Sequence, residues 1–431
     1  MFNETTRLYD VWDTSETTQR RIGRISFLQL DSNRTGTSVS PSLGLIIPEF
    51  QYDPEWLLHG FSLGYDLPLK GGIHRPPVGE RNFAFMLERE LNDVALNLAE
   101  KCTSEGFFPE ASLAEKRSAL LPQPPQSLGA IRLTPVNFEV PLTAKTRHEA
   151  AHTILEWPLL RIAQFDSLLY AVSLLERRQE TSKELALLRQ SCGLPGARLN
   201  PVLLRNKVSV VLRLRAMNDP IETPFWKHFA LFMAQKTGID VVASEVIRSQ
   251  GTVVMMADRF DRTPENAPRF VLSARALASR AKTTTGRPGP LSYLALADIL
   301  NREGASPKRD LQALFRRLVY THMVAGGHDH PDHWFFVRSP LGWELAPAHH
   351  LDWVSPAFMM QRSSITLDGR RPMTAVEQCV EFAPYFALTV KEAKNILLEL
   401  RHELSRWEER ALEQEADAND IALMAPIFDH Y

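Results

Sequence analysis

Cysteine is scarce in this 431-residue chain: there are three, Cys102, Cys192 and Cys379, far apart and odd in number. A disulfide-built scaffold is thereby excluded, and a reducing, cytoplasmic setting is expected. No run of eighteen uninterrupted apolar residues occurs, so no membrane-spanning helix is expected. Residues 1–10 show no basic stretch followed by an apolar one, which gives no sign of a secretory leader. Charge of one sign is missing too. The formal net charge is −2, which removes any global electrostatic case for nucleic acid and leaves only local patches. Internal repeats and low-complexity tracts are absent.

What is present is the composition of a globular chain, 44% hydrophobic and 23% charged. Its length exceeds one ordinary core, so two or three domains or lobes are expected. Alternation predicts strands at residues 22–27 and 43–47, the start of a β-rich module. Helical spacing follows at 82–101, a proline-marked loop near Pro122, Pro124 and Pro125, a strand at 136–142 and mostly helix over 146–178. A second strand-rich unit covers 201–204, 209–214, 241–248 and 252–258, with an amphipathic helix at 225–237. Helices then dominate, at 291–302, 308–324 and 389–416. The reading is α+β, with boundaries at 1–145, 146–262 and 263–431.

One interruption of the helical half stands out. Six of the thirteen histidines lie between His322 and His350. Two polar loops, one with His328, Asp329, His330, Asp332 and His333, the other with His349, His350 and Asp352, flank a predicted hairpin of strands 334–337 and 343–346. Loops flanking a hairpin bring such side chains to one edge of a cleft. A strand-rich lobe, then Asp258-Arg259-Phe260-Asp261-Arg262, then a helical lobe carrying a loop–hairpin–loop unit, is the layout of a kinase-like fold. There nucleotide lies between the lobes, and the loops supply a catalytic Asp, a metal-binding Asn and a metal-binding Asp.

The chain resembles the HipA family of serine/threonine kinases from bacterial toxin–antitoxin pairs, along most of its length. The resemblance is carried by residues 50–57 and 66–69, by Gly196-Ala197-Arg198, by 258–262, by 316–320, by 342–348 and by Trp407. It implies a two-lobed HipA/protein-kinase-like fold with an N-terminal module and ATP with Mg²⁺ in the cleft. It also implies a small helix-turn-helix antitoxin (HipB-like) partner able to bring the pair to DNA, with a homodimer within the complex. The ligand side would be Gly196, Ala197, Arg198, Asn200, Arg213 and Asp258.

The departures matter more than the matches. The family's catalytic Asp falls on His328, with Asp329 beside it, its metal-binding Asn on His333 and its second metal-binding Asp on His350. The glycine-loop Lys falls on Asn200, the nucleotide-pairing Lys near Arg213 and the Glu partner of that Lys on Lys227. The autophosphorylated Ser falls on Gly193, with Ser191 close by. Lys227 opposite Arg213 is expected to repel. Mg²⁺ requires hard oxygen ligands, and imidazole replaces them poorly. The expectation is therefore a pseudokinase that works through binding. One alternative is an unorthodox active kinase toxin using Asp329, Asp332 or Asp352. Another uses His328, His333 and His350 as ligands for Zn²⁺ or Mn²⁺; residues 328–333 also fit the H-x-H-x-D-H run of metal-dependent hydrolases and nucleases. The bland reading makes these histidines hydrogen-bonded fillers of an abandoned site, with His330 structural. Arg302, Lys308, Arg309, Arg316 and Arg317 are read as a solvated face in preference to a basic patch.

Overall fold

The computed structural model describes residues 7–15, 19–30, 45–78, 80, 82–87, 127–136, 159–191, 194, 198–216, 218–249, 251–278, 291–325, 329–353, 365–370 and 375–428. All but Val136 of the strand expected at 136–142, most of the helix expected at 82–101 and the first part of that expected at 146–178 lie outside the described residues.

Strands β1 (Arg7–Asp13), β2 (Arg20–Leu30), β3 (Leu45–Tyr52) and β4 (Ile131–Pro135) form one antiparallel sheet in the order β3-β2-β1-β4. Alternation buries Tyr9 and Val11 on β1, and Ile25 and Phe27 on β2. The register skips between Val11 and Trp12, so Ile22 is the extra residue of a bulge and is buried as well. Gly23 beside it is required by space, because a Cβ there would stand 2.3 Å from the Gln51 carbonyl oxygen. Helix α1 (Pro54–His59) follows β3, with Asp53 as N-cap accepting from the Glu55 N–H at 3.0 Å and Pro54 in the first turn. It buries Trp56. Further on, helix α2 (Ala84–Leu87) is tied back when the Ala84 N–H donates to buried Asp66, 2.6 Å.

Helices α3 (Phe165–Glu176) and α4 (Ser182–Ser191) precede the second sheet. That sheet contains β5 (Val202–Arg205), β6 (Val208–Leu214), β7 (Ser244–Ser249) and β8 (Thr252–Asp258), antiparallel in the order β5-β6-β8-β7. Its two faces separate by parity. Val210, Leu212, Val254 and Met256 pack with Leu168 and Leu188 of α3 and α4. Val211, Val253, Met255 and Ala257 join the main core beside Phe229 and Met233 of helix α5 (Thr223–Lys236). Burying both apolar faces stabilises this lobe at roughly 25 cal/mol per Å² of apolar surface removed from water.

The chain then crosses through residues 259–262. Asp261 is buried and accepts from Arg259 Nε (2.8 Å), Arg262 Nη1 (2.7 Å) and the Gly129 N–H (2.7 Å). The Ser127 carbonyl takes the Nη2 of both arginines, at 3.1 and 2.9 Å. The crossing is thus stapled to the segment that leads into β4.

Strand β9 (Val271–Ser273) runs into helix α6 (Ala274–Leu277), and β10 (Leu291–Ser292) into α7 (Tyr293–Glu303), each helix capped by a serine, Ser273 or Ser292. Helix α8 (Pro307–Ala325) leads to the hairpin β11 (Phe335–Ser339) and β12 (Gly342–Leu345), and β11 also pairs with β9. A short β13 (Ile365–Thr366) lies parallel to β10. Beyond the 3₁₀ segment Val376–Phe386 come α9 (Val390–Leu404), α10 (Trp407–Glu413) and α11 (Ala418–Met424). The helix expected over 389–416 is thus divided. Ser405 turns its hydroxyl onto the His402 carbonyl, 2.8 Å, and competes with the ladder at that point. Among the described residues no helix is long and apolar enough to cross a membrane. The architecture is α+β and two-lobed.

Candidate functional site

Between the second sheet and the loops around the hairpin lies a cavity of about 770 Å³, within the ~300–1,000 Å³ that suits a cofactor-sized ligand. Strand parity places Arg213 there. Its neighbours on β6, Leu212 and Val210, face α3 and α4, whereas Val211, Arg213 and Ala257 line the cavity. Burial lowers the pKa of the Arg213 guanidinium, and the charge of Asp352 acts in the opposite direction. No hydrogen-bond acceptor engages Arg213 among the described residues.

Lys227, one turn into α5, corrects an expectation. It does not stand as an unanswered repulsive charge opposite Arg213; its Nζ lies 2.5 Å from Asp352 Oδ1. His350 Nε2 lies 2.8 Å from the other oxygen, Oδ2. Burial works to raise the Asp352 carboxyl, but His350 and Lys227 together hold it well below the usual carboxylate range. Burial drives the His350 imidazole down to about 3 against the pull of Asp352. His350 is therefore neutral at pH 7, with Nε2–H donating to Asp352 and Nδ1 left as an acceptor.

His333 and His350, two of the candidate metal ligands, do meet. Their rings stack with centroids 4.1 Å apart and planes 10° from parallel. Imidazole lone pairs lie in the ring plane, so parallel rings do not aim both nitrogens at one ion at the ~2.0–2.1 Å that zinc ligation needs. Among the described residues no three His, Cys, Asp or Glu side chains are grouped to hold a metal ion. His328 lies outside the described residues.

Asp329, the other candidate catalytic residue, is buried and does not line the cavity. Its Oδ2 accepts from Tyr293 Oη and from Trp334 Nε1 (2.6 Å). Its Oδ1 accepts from the His330 N–H (2.8 Å) and faces His333 Nδ1 at 3.3 Å. Burial pushes this carboxyl up, but His333, Tyr293 and Trp334 outweigh it and keep the group ionised. Asp332 is clamped by Arg275, whose Nε and Nη2 donate to its two oxygens at 2.7 Å each. His330 caps the 3₁₀ turn Pro331–His333, its Nδ1 accepting from the Asp332 N–H at 3.2 Å. His349 stacks on Phe260 at 4.2 Å, with its Nδ1 buried and unpaired. Burial holds its imidazole well below the ordinary value.

On the opposite wall, Arg198 forks onto Asp219 at 2.5 and 2.7 Å, while buried Asn200 and exposed Asp258 also line the cavity. Gly193, Gly196 and Ala197 lie outside the described residues. Ser191 is fully buried and donates to the Leu188 carbonyl at 2.9 Å, which leaves it no access to a phosphate. Four of the five cations of the cluster on the helical half are paired or buried, and Lys308 is exposed. Arg302 pairs with Asp298, Arg309 with Asp310 and Glu344, Arg316 with Glu399, and Arg317 lies buried over Trp334.

Sequence reasoning named Lys227 but not its partner, which lies 125 residues away. It passed over Asp219, Arg275 and Tyr293, which carry no local motif. The site that results offers cationic and imidazole groups to a ligand, while its three catalytic-side carboxylates are already occupied by protein donors.

Residues 215–407 match the HipA-like C-terminal domain family. Along its length the chain is similar to HipA of the Shewanella oneidensis MR-1 toxin–antitoxin system, solved with HipB and operator DNA. The two share 15% identity over 97% of this chain and 95% of that one, with a TM-score of 0.58. It is also similar to the Helicobacter pylori proinflammatory kinase CtkA, at 12% identity over 52% of this chain and 95% of that one, with a TM-score of 0.35. No curated protein matches the chain. The chain thus carries a HipA-like C-terminal domain over residues 215–407, in a fold similar along its length to that of a HipA.

Proposed function

We propose that this HipA-like protein is a pseudokinase that acts by binding within a toxin–antitoxin-type complex. One observation carries the reading. Asp329, Asp332 and Asp352 are the acids that stand nearest the family's catalytic and metal-binding positions, and both oxygens of each are engaged by protein donors. Phosphoryl transfer of the kinase type needs Mg²⁺ on free carboxylate oxygens and an acid able to take the substrate proton. Stripping Lys227 and His350 from Asp352 to admit a cation would leave a lysine beside Arg213 and the ion, at a cost of several kcal/mol. As partner we propose a small helix-turn-helix antitoxin of the HipB kind, through which the pair would reach DNA, as in the Shewanella complex.

The test is phosphate incorporation. Full-length protein incubated with radiolabelled ATP and Mg²⁺ or Mn²⁺ is expected to label neither itself nor an added protein substrate. Labelling abolished by Asp352→Asn would overturn the reading. Co-expression with a HipB-like protein is expected to give one complex in gel filtration that shifts duplex DNA, which the chain alone does not shift.

A further inference from the structure

Helix α5 supplies Trp226 to the cavity wall and Lys227 to the ion pair with Asp352. Its first turn is poorly equipped to hold itself. The N-cap residue, Glu222, makes no side-chain cap. In a capping box the residue three positions on would accept from the Glu222 N–H, but that residue is Phe225, which has no side-chain acceptor. The acceptor comes instead from 198 residues away. Asp420, on α11, is buried, and its Oδ2 takes the Glu222 N–H at 2.7 Å and Trp226 Nε1 at 3.0 Å. A carboxylate in that place also meets the positive end of the helix dipole.

Aromatic rings carry the same segment to the other side of the cleft. Phe428 stacks on Trp407 at 4.7 Å and meets Trp353 edge-on at 4.8 Å. Trp353 lies 5.1 Å from Phe229 of α5, and its Nε1 donates to Tyr320 Oη at 3.0 Å. Tyr320 in turn donates to the Ala230 carbonyl of α5 at 2.7 Å. Trp226 directly precedes Lys227, and Trp353 directly follows Asp352. The C-terminal segment thus touches the chain neighbours of both charges that meet across the cleft. Its helices α10 and α11 have seven residues each, too few to hold their shape undocked.

We propose that residues 407–428 are an internal clamp on α5. Asp420 fixes the first turn of the helix and Phe428 fixes Trp353, and together they keep Lys227 within reach of Asp352. Undocking of the segment frees the first turn of α5 and opens the ion pair, so that a contact made at the C-terminal end of the chain is read in the cleft. The clamp asks nothing of the chemistry of the cleft and holds whether or not phosphate is transferred there.

Two readouts on the full chain test this: hydrogen–deuterium exchange by mass spectrometry, which reports the local opening of each helix, and the rate at which acetic anhydride acylates the Lys227 amine. Asp352→Asn sets the acylation rate of an unpaired Lys227. Asp420→Ala is expected to speed exchange in 223–236 by about tenfold, the size of a lost helix cap. It is also expected to bring Lys227 acylation towards the Asp352→Asn rate, while exchange in α4 stays as in wild type. Asp420→Asn keeps an acceptor oxygen in place and is expected to restore most of the protection. Coupling is reciprocal, so Lys227→Met, at the other end, is expected to speed exchange in 407–428. Faster exchange confined to 407–428 in Asp420→Ala, with Lys227 acylated at the wild-type rate, overturns the clamp. Looser α5 with unchanged Lys227 acylation overturns its link to the cleft. Should Asp420→Ala loosen every helix alike, Lys227→Met decides, and unchanged protection of 407–428 in that variant overturns the proposal.

Discussion

Asp261 and Asp352 are both carboxylates held by two basic partners, and they do opposite things. Asp261 is sealed, with 2% of its side chain exposed, and its arginines are equally dry. Burial works to raise its carboxyl, but Arg259 and Arg262 hold it far below the usual range. Both arginines spend further donors on the Ser127 carbonyl. Asp352 is a third exposed, its lysine a fifth, and the arginine whose field it shares has no acceptor among the described residues. The same chemistry is a staple where every donor is spent on protein and water is absent. Where the pair is partly wet and borders a cavity, it leaves charge facing that cavity.

The largest effect expected from breaking this comparison is at the sealed end. Asp261→Ala strands two buried guanidinium groups and is expected to cost about 3–5 kcal/mol in chemical denaturation. A loss below about 1 kcal/mol would mean the joint is not dry in solution.

A third carboxylate, buried with no cation in contact among the described residues, sharpens the contrast by reversing its sign. Asp66 has one oxygen buried without a partner, and burial pushes its carboxyl up to about 6 from 3.8. Its folded value lies above the unfolded one, so its contribution is fully present below pH 3.8 and is lost as pH rises through about 6. His350 runs the other way. Its folded value of about 3 lies below the ordinary 6.5, so its contribution is present above 6.5 and lost as pH falls. Melting curves of Asp66→Asn against wild type should therefore show a relative gain of about 1–3 kcal/mol on going from pH 4 to pH 7. An unchanged difference across that range would remove the assignment.

A smaller loss is expected from Tyr293→Phe, which takes one donor from buried Asp329 and leaves Trp334 on the same oxygen. About 1–2 kcal/mol is expected, read by thermal melt with His333 chemical shifts followed by NMR. An unmoved His333 signal would show that Asp329 does not orient that ring. Smallest of all is the exposed pair Arg302–Asp298, 3.1 Å apart and 60% and 61% exposed. Arg302→Ala is expected to change stability by less than about 0.5 kcal/mol. A change above about 1 kcal/mol would show that exposure does not rank these ion pairs as argued.

Much of the fold could be read along the chain. The hairpin Phe335–Ser339 and Gly342–Leu345, helix Thr223–Lys236 and the strands of the second sheet fall within a few residues of where period and turn chemistry place them. The helix divided at Ser405 does not, because a hydroxyl bonding its own backbone leaves no trace in apolar spacing. The site was legible as a location. His333, His350, Arg213, Asn200 and Asp258 do line one cavity, and Asp329 lies buried behind it. Its wiring was not legible.

What the sequence alone determined is what depends on neighbours along the chain: strand parity, helix caps and loops crowded with histidine and aspartate. Which carboxylate answers which cation was decided only in three dimensions. Lys227 and Asp352 meet across 125 residues. Whether such a pair is sealed or opens onto a cavity depends on burial, and burial is set by everything packed around it.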